Sequence, residues 1–131
     1  MASIKDIKDL EDIKLLVNSF YGKVREDELL GPIFESVVQG NWEPHLNKMY
    51  SFWQTVLTED MTYRGRPFPP HMKLPVEQKH FERWLGLFSE TIDANFAGVK
   101  AEEAKWRAQR MATMFWSKIS YFRSRSSEPL F

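Results

Sequence analysis

The sequence predicts an all-α protein. Apolar residues recur at three- and four-residue steps through most of the chain, which is the period of amphipathic helices. No segment alternates with the two-residue period of a strand, and the prolines fall between the periodic segments or near their starts. At 131 residues the chain has the usual size of one domain, so we expect a single domain over residues 1–131.

Four or five helices follow from this pattern. The first is predicted from Ile4 to Arg25. Gly31 and Pro32 form a corner, and a short helical piece then ends near Gly40. Asn41 is a suitable N-cap for the next helix, and Pro44 suits its first turn.

The segment from Tyr63 to Pro75 breaks the pattern, because its five Gly and Pro residues forbid a continuous helix. A long irregular segment in a small domain indicates function. Pro75 is predicted to open another helix, and a last one runs from about Ala101 to Phe122. Residues 123–129 lack a periodic apolar face, so residues 123–131 are expected to form a flexible tail, with a basic docking tail as the alternative.

Composition excludes several classes of function. Lys and Arg number 18 against 18 Asp and Glu, so no net charge favours nucleic acid or a membrane surface. Cysteine is absent, which excludes a disulfide framework, a thiolate metal site, a cysteine nucleophile and covalent attachment of a cofactor through cysteine. No signal-like or membrane-spanning stretch is found, so we expect a cytoplasmic protein.

Aromatic residues make up 15% of the chain. This is more flat apolar surface than a core of this size needs, which fits a flat apolar guest. The alternative is that aromatic residues replace aliphatic ones in an ordinary core, and composition alone does not separate the two.

The three histidines occupy different local contexts. His45 lies in the first turn of its predicted helix and shares a face with Met49, Phe52 and Trp53, where it is either a hydrogen-bonded core residue or a ligand. His71 lies among prolines that stiffen the backbone, and irregular backbone offers a carbonyl to accept its second N–H; a plain exposed loop histidine is the alternative. His80 is expected on the surface, with a cofactor edge as the alternative.

The spacing of these histidines matches no zinc site, and serine or cysteine hydrolase chemistry finds no support. One histidine in a stiffened loop and one on a helix face rich in Met, Phe and Trp suit a flat apolar group that carries a metal. Haem is such a group.

Taken together, the motifs of the chain resemble those of the group III truncated haemoglobins, shortened bacterial globins with a two-over-two helical sandwich. The resemblance covers about Ile13 to Phe122, and the chain lacks the Gly-Gly pairs typical of the other two groups. The motifs are Phe20-Tyr21-Gly22-Lys23-Val24-Arg25, Leu30-Gly31-Pro32-Ile33-Phe34, Trp42 with His45, Phe52-Trp53, Tyr63-x-Gly65-x-Pro67, His71-x-x-Leu74-Pro75 and Phe81-x-x-Trp84-Leu85-x-Leu87-Phe88.

The resemblance implies a noncovalent haem b with His71 as the proximal iron ligand. It makes Tyr21, His45 and Trp84 the polar distal residues. Lys48 is placed to reach a haem propionate, although a surface lysine is an equal interpretation. The remaining expected haem contacts are Phe34, Met49, Phe52, Trp53, Leu74, Phe81 and Leu85; at Met49 the family often has a branched aliphatic residue.

The implied function is reversible binding of oxygen, carbon monoxide or nitric oxide. Two distal donors predict oxygen retention too tight for simple transport, which favours ligand chemistry or detoxification. Turnover of nitric oxide or peroxide, with a reductase as partner, is left open by the sequence, as are the physiological ligand and the oligomeric state. A cofactor-free helical interaction domain is the alternative from a different class.

Overall fold

A computed structural model describes residues 4–58, 60–63, 65–72 and 74–127. The described residues form five α-helices: α1 (Leu10–Glu26), α2 (Gly31–Val38), α3 (Trp42–Leu57), α4 (Gln78–Asn95) and α5 (Val99–Ser127). In the irregular connection between α3 and α4, a 3-10 turn covers Pro69–His71. The all-α prediction is confirmed.

Helix α1 begins six residues later than predicted. Asp9 is its N-cap, and the Asp9 carboxylate accepts a hydrogen bond from the Asp12 N–H at 3.1 Å. The preceding residues are extended, with a parallel bridge between Lys5 and Phe96. Ile7 lies in this segment and is buried. Its apolar side chain therefore correctly indicated a core position, but it did not indicate a helix.

The predicted corner at Gly31 is confirmed and has a steric cause. A Cβ on Gly31 would lie 2.8 Å from the Arg25 carbonyl oxygen, so the chain from α1 to α2 passes too close for a side chain. After α2, the positive φ of Gln39 and Gly40 turns the backbone into α3. Asn41 is the N-cap residue of α3, as predicted, although its side chain forms no capping hydrogen bond.

Helix α4 begins at Gln78, three residues after Pro75, and this shift corrects the prediction for His80. Glu77 is the N-cap, and its N–H donates to His80 Nδ1 at 2.8 Å. The His80 side chain therefore satisfies a donor at the helix start and is buried. The surface position expected for His80 is wrong, because capping draws the ring against the backbone.

Helix α5 extends to Ser127, five residues beyond the predicted end at Phe122. Arg123 holds this end in place: its guanidinium donates to the Leu74 carbonyl at 2.9 Å and pairs with the Glu77 carboxylate at 3.2 Å. The start of the predicted tail is therefore helical. Its last residues, 128–131, lie outside the described residues, and the flexibility of the tail stays a prediction.

The helices pack as two pairs, α1 with α3 and α4 with α5. Helix α1 also packs on α4 and α2, and α3 packs on α5, so the two pairs form a two-over-two sandwich. Among the described helices, none is long and apolar enough to cross a membrane. The fully buried core includes Ile13, Leu16, Val17, Phe20, Val24, Leu57, Phe88, Thr91, Ile92 and Ile119.

Candidate functional site

His71 ends the 3-10 turn in the proline-rich connection, and its ring orientation is fixed by the backbone. Nδ1 lies 2.6 Å from the Pro67 carbonyl oxygen, and since a carbonyl can only accept, Nδ1 carries the proton. The backbone N–H of His71 also donates to the Phe68 carbonyl, at 2.7 Å. The expectation that irregular backbone would supply a carbonyl for His71 is confirmed, and Nε2 is the nitrogen left for a ligand.

His45 is the centre of an aromatic cluster at the start of α3, which we call the His45 cluster. Its ring meets Tyr21 of α1 edge to face at 5.1 Å, Trp42 at 5.7 Å and Phe34 of α2 at 6.5 Å. Three helices therefore meet at this imidazole. The side chain is half-buried, and its Nε2 is fully buried, with no hydrogen-bond partner among the described residues.

An unpartnered buried nitrogen is unusual, because buried polar atoms are nearly always hydrogen-bonded. Burial lowers the pKa of His45, and the charges of Lys48 and His71 lower it further. Burial also lowers the pKa of His71, in spite of the hydrogen bonds to Pro67 and Phe68. Both rings are therefore neutral at pH 7, and His71 is close enough to influence the protonation of His45.

Tyr21 brings a hydroxyl to the His45 cluster from α1. It is buried, and burial raises the pKa of the phenol, so the hydroxyl stays protonated and able to donate. Because His45 Nε2 has no partner within the described ranges, the Tyr21 hydroxyl does not donate to it.

Trp84 belongs to a second aromatic group, where it stacks on Phe88 at 5.3 Å with the rings nearly parallel. The opposite face of this group is Trp53, which lies 4.9 Å from Phe88 and is only 3% exposed. Phe20 joins the two groups, because its ring contacts both Trp84 and Tyr21 edge to face. The structure thus links two of the expected distal residues through one core phenylalanine, and it places Trp53 in the core.

The other expected contacts on α2 and α3 lie near these groups. Phe34, Met49 and Phe52 are half-buried and pack against the core. Phe52 also meets Tyr63 edge to face at 5.3 Å, which joins α3 to the start of the irregular connection. Lys48 is exposed, but its effect on the pKa of His45 shows that its charge is near the site.

The expected contacts on the proximal side are less closely grouped. Leu74 is half-buried and its N–H donates to the His71 carbonyl at 3.2 Å. Phe81 is half-buried, with its ring 6.2 Å from Trp116 of α5. Leu85 lines a surface groove between α4 and α5 beside Trp106, and no other predicted site residue lines that groove.

Two aromatic residues beside His71 were not singled out by the sequence. Phe115 of α5 lies 4.8 Å from the His71 ring, and Phe68 lies 5.4 Å from Phe115. Phe115 belongs to the periodic apolar face of α5, so the sequence identified it as core. Its contact with His71 depends on how α5 packs on the connection, for which the sequence carries no signal.

Helices paired two over two, with one histidine held by a loop carbonyl and a second inside an aromatic cluster, are typical of a globin-like protein. A sequence profile of the bacterial-like globins matches residues 6–117. A group 3 truncated haemoglobin from Campylobacter jejuni is 36% identical over 113 residues, which is 83% of this chain and 89% of that protein.

The fold agrees with this similarity. A crystal structure of a group III truncated haemoglobin from Campylobacter jejuni superposes with a TM-score of 0.83 at 32% identity, covering 89% of this chain and 95% of that one. The chain belongs to the bacterial-like globins and, within them, to the group III truncated haemoglobins. Membership of this family implies that the protein binds haem.

Proposed function

We propose that the protein binds a noncovalent haem b through His71 and uses it to bind diatomic gases, with Tyr21, His45 and Trp84 on the distal side. The observation that carries the proposal is the pair of neutral histidines. Nδ1 of His71 is hydrogen-bonded to the Pro67 carbonyl, and the buried Nε2 of His45 has no partner in the part of the chain that the structure describes. The state of His71 is the one expected of a proximal ligand, and the state of His45 is the one expected of a residue beside the site of a distal ligand.

The haem, when bound, supplies an iron that binds oxygen, carbon monoxide or nitric oxide reversibly. The residues of the chain orient the iron ligand and hold the haem. Pro67 fixes the tautomer and orientation of His71, and a hydrogen bond of this kind makes the ring a stronger ligand. Phe34, Met49, Phe52, Trp53, Leu74, Phe81 and Leu85 are the proposed apolar contacts, and Lys48 the proposed partner of a propionate.

Tyr21 and Trp84 are proposed to donate hydrogen bonds to the bound gas. The raised pKa of Tyr21 supports this role, because the phenol keeps its proton at any physiological pH. Two donors slow oxygen release, so we infer that the protein serves ligand chemistry or detoxification more than bulk transport. Turnover of nitric oxide or peroxide then requires a reductase to restore ferrous iron.

Absorption spectra of the purified protein test the proposal. We expect a Soret band that accompanies the protein, shifts on reduction and shifts again with carbon monoxide. A colourless protein that takes up no added haemin would contradict the proposal and favour a cofactor-free interaction domain.

Substitution of the histidines tests the proximal assignment. His71→Gly should abolish stable haem binding. Added imidazole should restore the Soret band, because it can occupy the space that the His71 ring leaves. His80→Asn is the matched control, since asparagine retains an acceptor for the Glu77 N–H. Loss of haem in His80→Asn with retention in His71→Gly would show that the iron is assigned to the wrong histidine.

A further inference from the structure

Positive charge is concentrated on one helix of this electrically neutral chain. Helix α5 carries seven of the 18 Lys and Arg residues and two of the 18 Asp and Glu residues. Between Ala104 and Ser127 the sequence contains six cations and no carboxylate. The rest of the chain therefore carries a net negative charge, and α5 is a basic strip on its surface.

The exposed side of α5 combines these cations with aromatic rings. At helical spacing it presents Trp106, Arg110, Met114, Lys118, Tyr121 and Arg125, all of them exposed, which we call the α5 face. Trp106 is 51% exposed and Tyr121 is 57% exposed. Arg110, Lys118 and Arg125 form no ion pair with any carboxylate in the described part of the chain.

The α5 face adjoins the segment that carries His71. Lys118 Nζ lies 4.9 Å from the centre of the Phe68 ring, Phe68 packs on Phe115, and Phe115 contacts His71. Two aromatic side chains therefore separate the exposed cation from the proposed iron ligand. A protein bound on the α5 face would lie beside the proximal side of the site.

We propose that the α5 face is the docking surface for an acidic electron-donor protein, which passes one electron to the ferric haem beside His71. This inference rests on the proposed function, which requires a source of electrons. One electron leaves the donor and iron(III) becomes iron(II), so no proton or other reactant is needed.

The composition of the α5 face favours an acidic protein over a lipid surface. The apolar side of α5 is already buried in the core through Ala104, Ala108, Ala112, Phe115 and Ile119, whereas a helix that lies in a membrane needs its continuous apolar side for the lipid. Guanidinium groups also lie over the exposed rings, 4.9 Å from Trp106 for Arg110 and 5.8 Å from Tyr121 for Arg125. Exposed Trp, Tyr and Arg together are typical of protein interfaces.

The test uses the haem-loaded protein and a reduced plant-type [2Fe–2S] ferredoxin as an acidic one-electron probe. The variant Arg110→Glu/Lys118→Glu reverses two charges on the α5 face. The control Lys8→Glu/Lys14→Glu makes the same change in net charge on the N-terminal segment and α1. The Soret band of each sample is recorded first, then the ferredoxin affinity by calorimetry and the rate of haem reduction by stopped flow.

We expect the α5 variant to weaken ferredoxin binding by about tenfold or more and to slow second-order reduction in parallel, while the control changes both much less. Binding by the wild type should weaken steeply with salt. Trp106→Ala should weaken binding by about fivefold or more without changing the Soret band.

Other results overturn the inference. Equal effects of the two charge variants, with normal Soret bands in both, would contradict docking on the α5 face and leave the proposed function intact. Binding to phosphatidylglycerol vesicles that outcompetes ferredoxin, or self-association that depends on Arg110 and Lys118, would assign the face to a lipid or to a second copy instead. A protein that takes up no haem contradicts the proposed function and this inference with it.

Discussion

The three histidines show how one side chain takes different roles according to the nitrogen that is engaged. His71 donates from Nδ1 to a carbonyl, which leaves Nε2 for a ligand. His80 accepts at Nδ1 from a backbone N–H and serves as a helix cap. His45 has a buried Nε2 to which no described residue forms a hydrogen bond, which leaves this nitrogen available to a ligand.

At His45 we predict that substitution changes ligand kinetics more than stability. His45→Leu removes the buried unpartnered nitrogen and keeps most of the ring's volume against Tyr21 and Trp42. The free energy of unfolding of the haem-free protein should stay within about 1 kcal/mol of wild type or rise, because an unsatisfied polar atom is lost. The carbon monoxide association rate should change several-fold.

Denaturant unfolding and flash photolysis measure the two quantities. Unaltered ligand rates, together with a loss beyond about 2 kcal/mol in the free energy of unfolding, would show instead that His45 is a structural residue.

The proposed distal donors, Tyr21 and Trp84, allow a second prediction at this scale. Two hydrogen bonds to a bound oxygen contribute about 1–3 kcal/mol together, which corresponds to roughly five- to more than hundredfold slower oxygen release than from an apolar pocket. Tyr21→Phe and Trp84→Phe should each speed oxygen dissociation in stopped-flow experiments. Fast release by the wild type, unchanged in both variants, would mean that Trp84 only stacks on Phe88 and that Tyr21 only packs on Phe34.

At the scale of elements, the connection between α3 and α4 carries His71, the proposed proximal ligand, and we call it the proximal connection. Different partners hold it before and after His71. Pro67 orients His71 at one end, and Arg123 of α5 holds the other end through the Leu74 carbonyl and the Glu77 carboxylate. The prolines limit the backbone between these points. Helix α5 therefore positions His71, the proposed proximal ligand, indirectly, by restraining the chain that follows it.

We predict that Arg123→Ala loosens the proximal connection and lowers haem retention. Transfer of haemin to an excess of apomyoglobin should become several-fold faster, while the free energy of unfolding falls by less than about 1 kcal/mol, because the ion pair is partly exposed. Arg125→Ala is the matched control on the same helix, since Arg125 has its described contact with the Tyr121 ring. Equal transfer rates in the two variants would contradict a positioning role for Arg123.

The sequence was informative about elements where local periodicity and packing agree. Helix α3 follows from a local signal, the N-cap position of Asn41. The corner follows from Gly31, where the backbone passes too close for a side chain. The ends of α4 and α5 depend on side chains that reach other elements or the preceding backbone, as His80 and Arg123 do. Periodicity also could not distinguish the extended residues around Ile7 from a first helical turn.

The same limit applies to the candidate site. The resemblance brought His71, His45 and Tyr21 forward, and the structure places the last two in one cluster. Phe115 and Phe68, beside His71, come from elements far apart along the chain, so only the tertiary packing reveals their contact.

At the scale of the whole molecule, the N-terminal segment is joined to the start of α5, more than 90 residues further along the chain. The Asp6 carboxylate accepts hydrogen bonds from the N–H groups of Lys100 and Ala101 in the first turn of α5, at 2.9 and 2.8 Å. Gly98 has a φ of +140°, and a Cβ there would lie 2.5 Å from the Asp6 carboxyl carbon. The Lys5 carbonyl accepts from Ala97 beside this contact. The Asp6 carboxylate therefore caps the start of α5, although the two are far apart in the sequence.

We predict that Asp6→Ala lowers the free energy of unfolding of the haem-free protein by about 1–2 kcal/mol at pH 7, as loss of a charged helix cap does. Burial acts to raise the pKa of Asp6, but hydrogen bonds from Lys100, Ala101 and Ile7 outweigh it and lower the pKa below 3.8. A carboxyl with a lowered folded-state pKa contributes stability that is complete above the unfolded-state pKa and is lost as the pH falls through the folded-state pKa.

The difference between wild type and Asp6→Ala should therefore be constant from pH 7 to about pH 5 and shrink below about pH 4. Urea unfolding at several pH values measures it. Asp93→Asn, which removes an exposed ion pair with Lys105, serves as the control and should change stability by less than about 1 kcal/mol at pH 7. A difference for Asp6→Ala that persists unchanged at pH 3 would show that Asp6 acts by packing against Gly98 and that its charge is not what stabilises the start of α5.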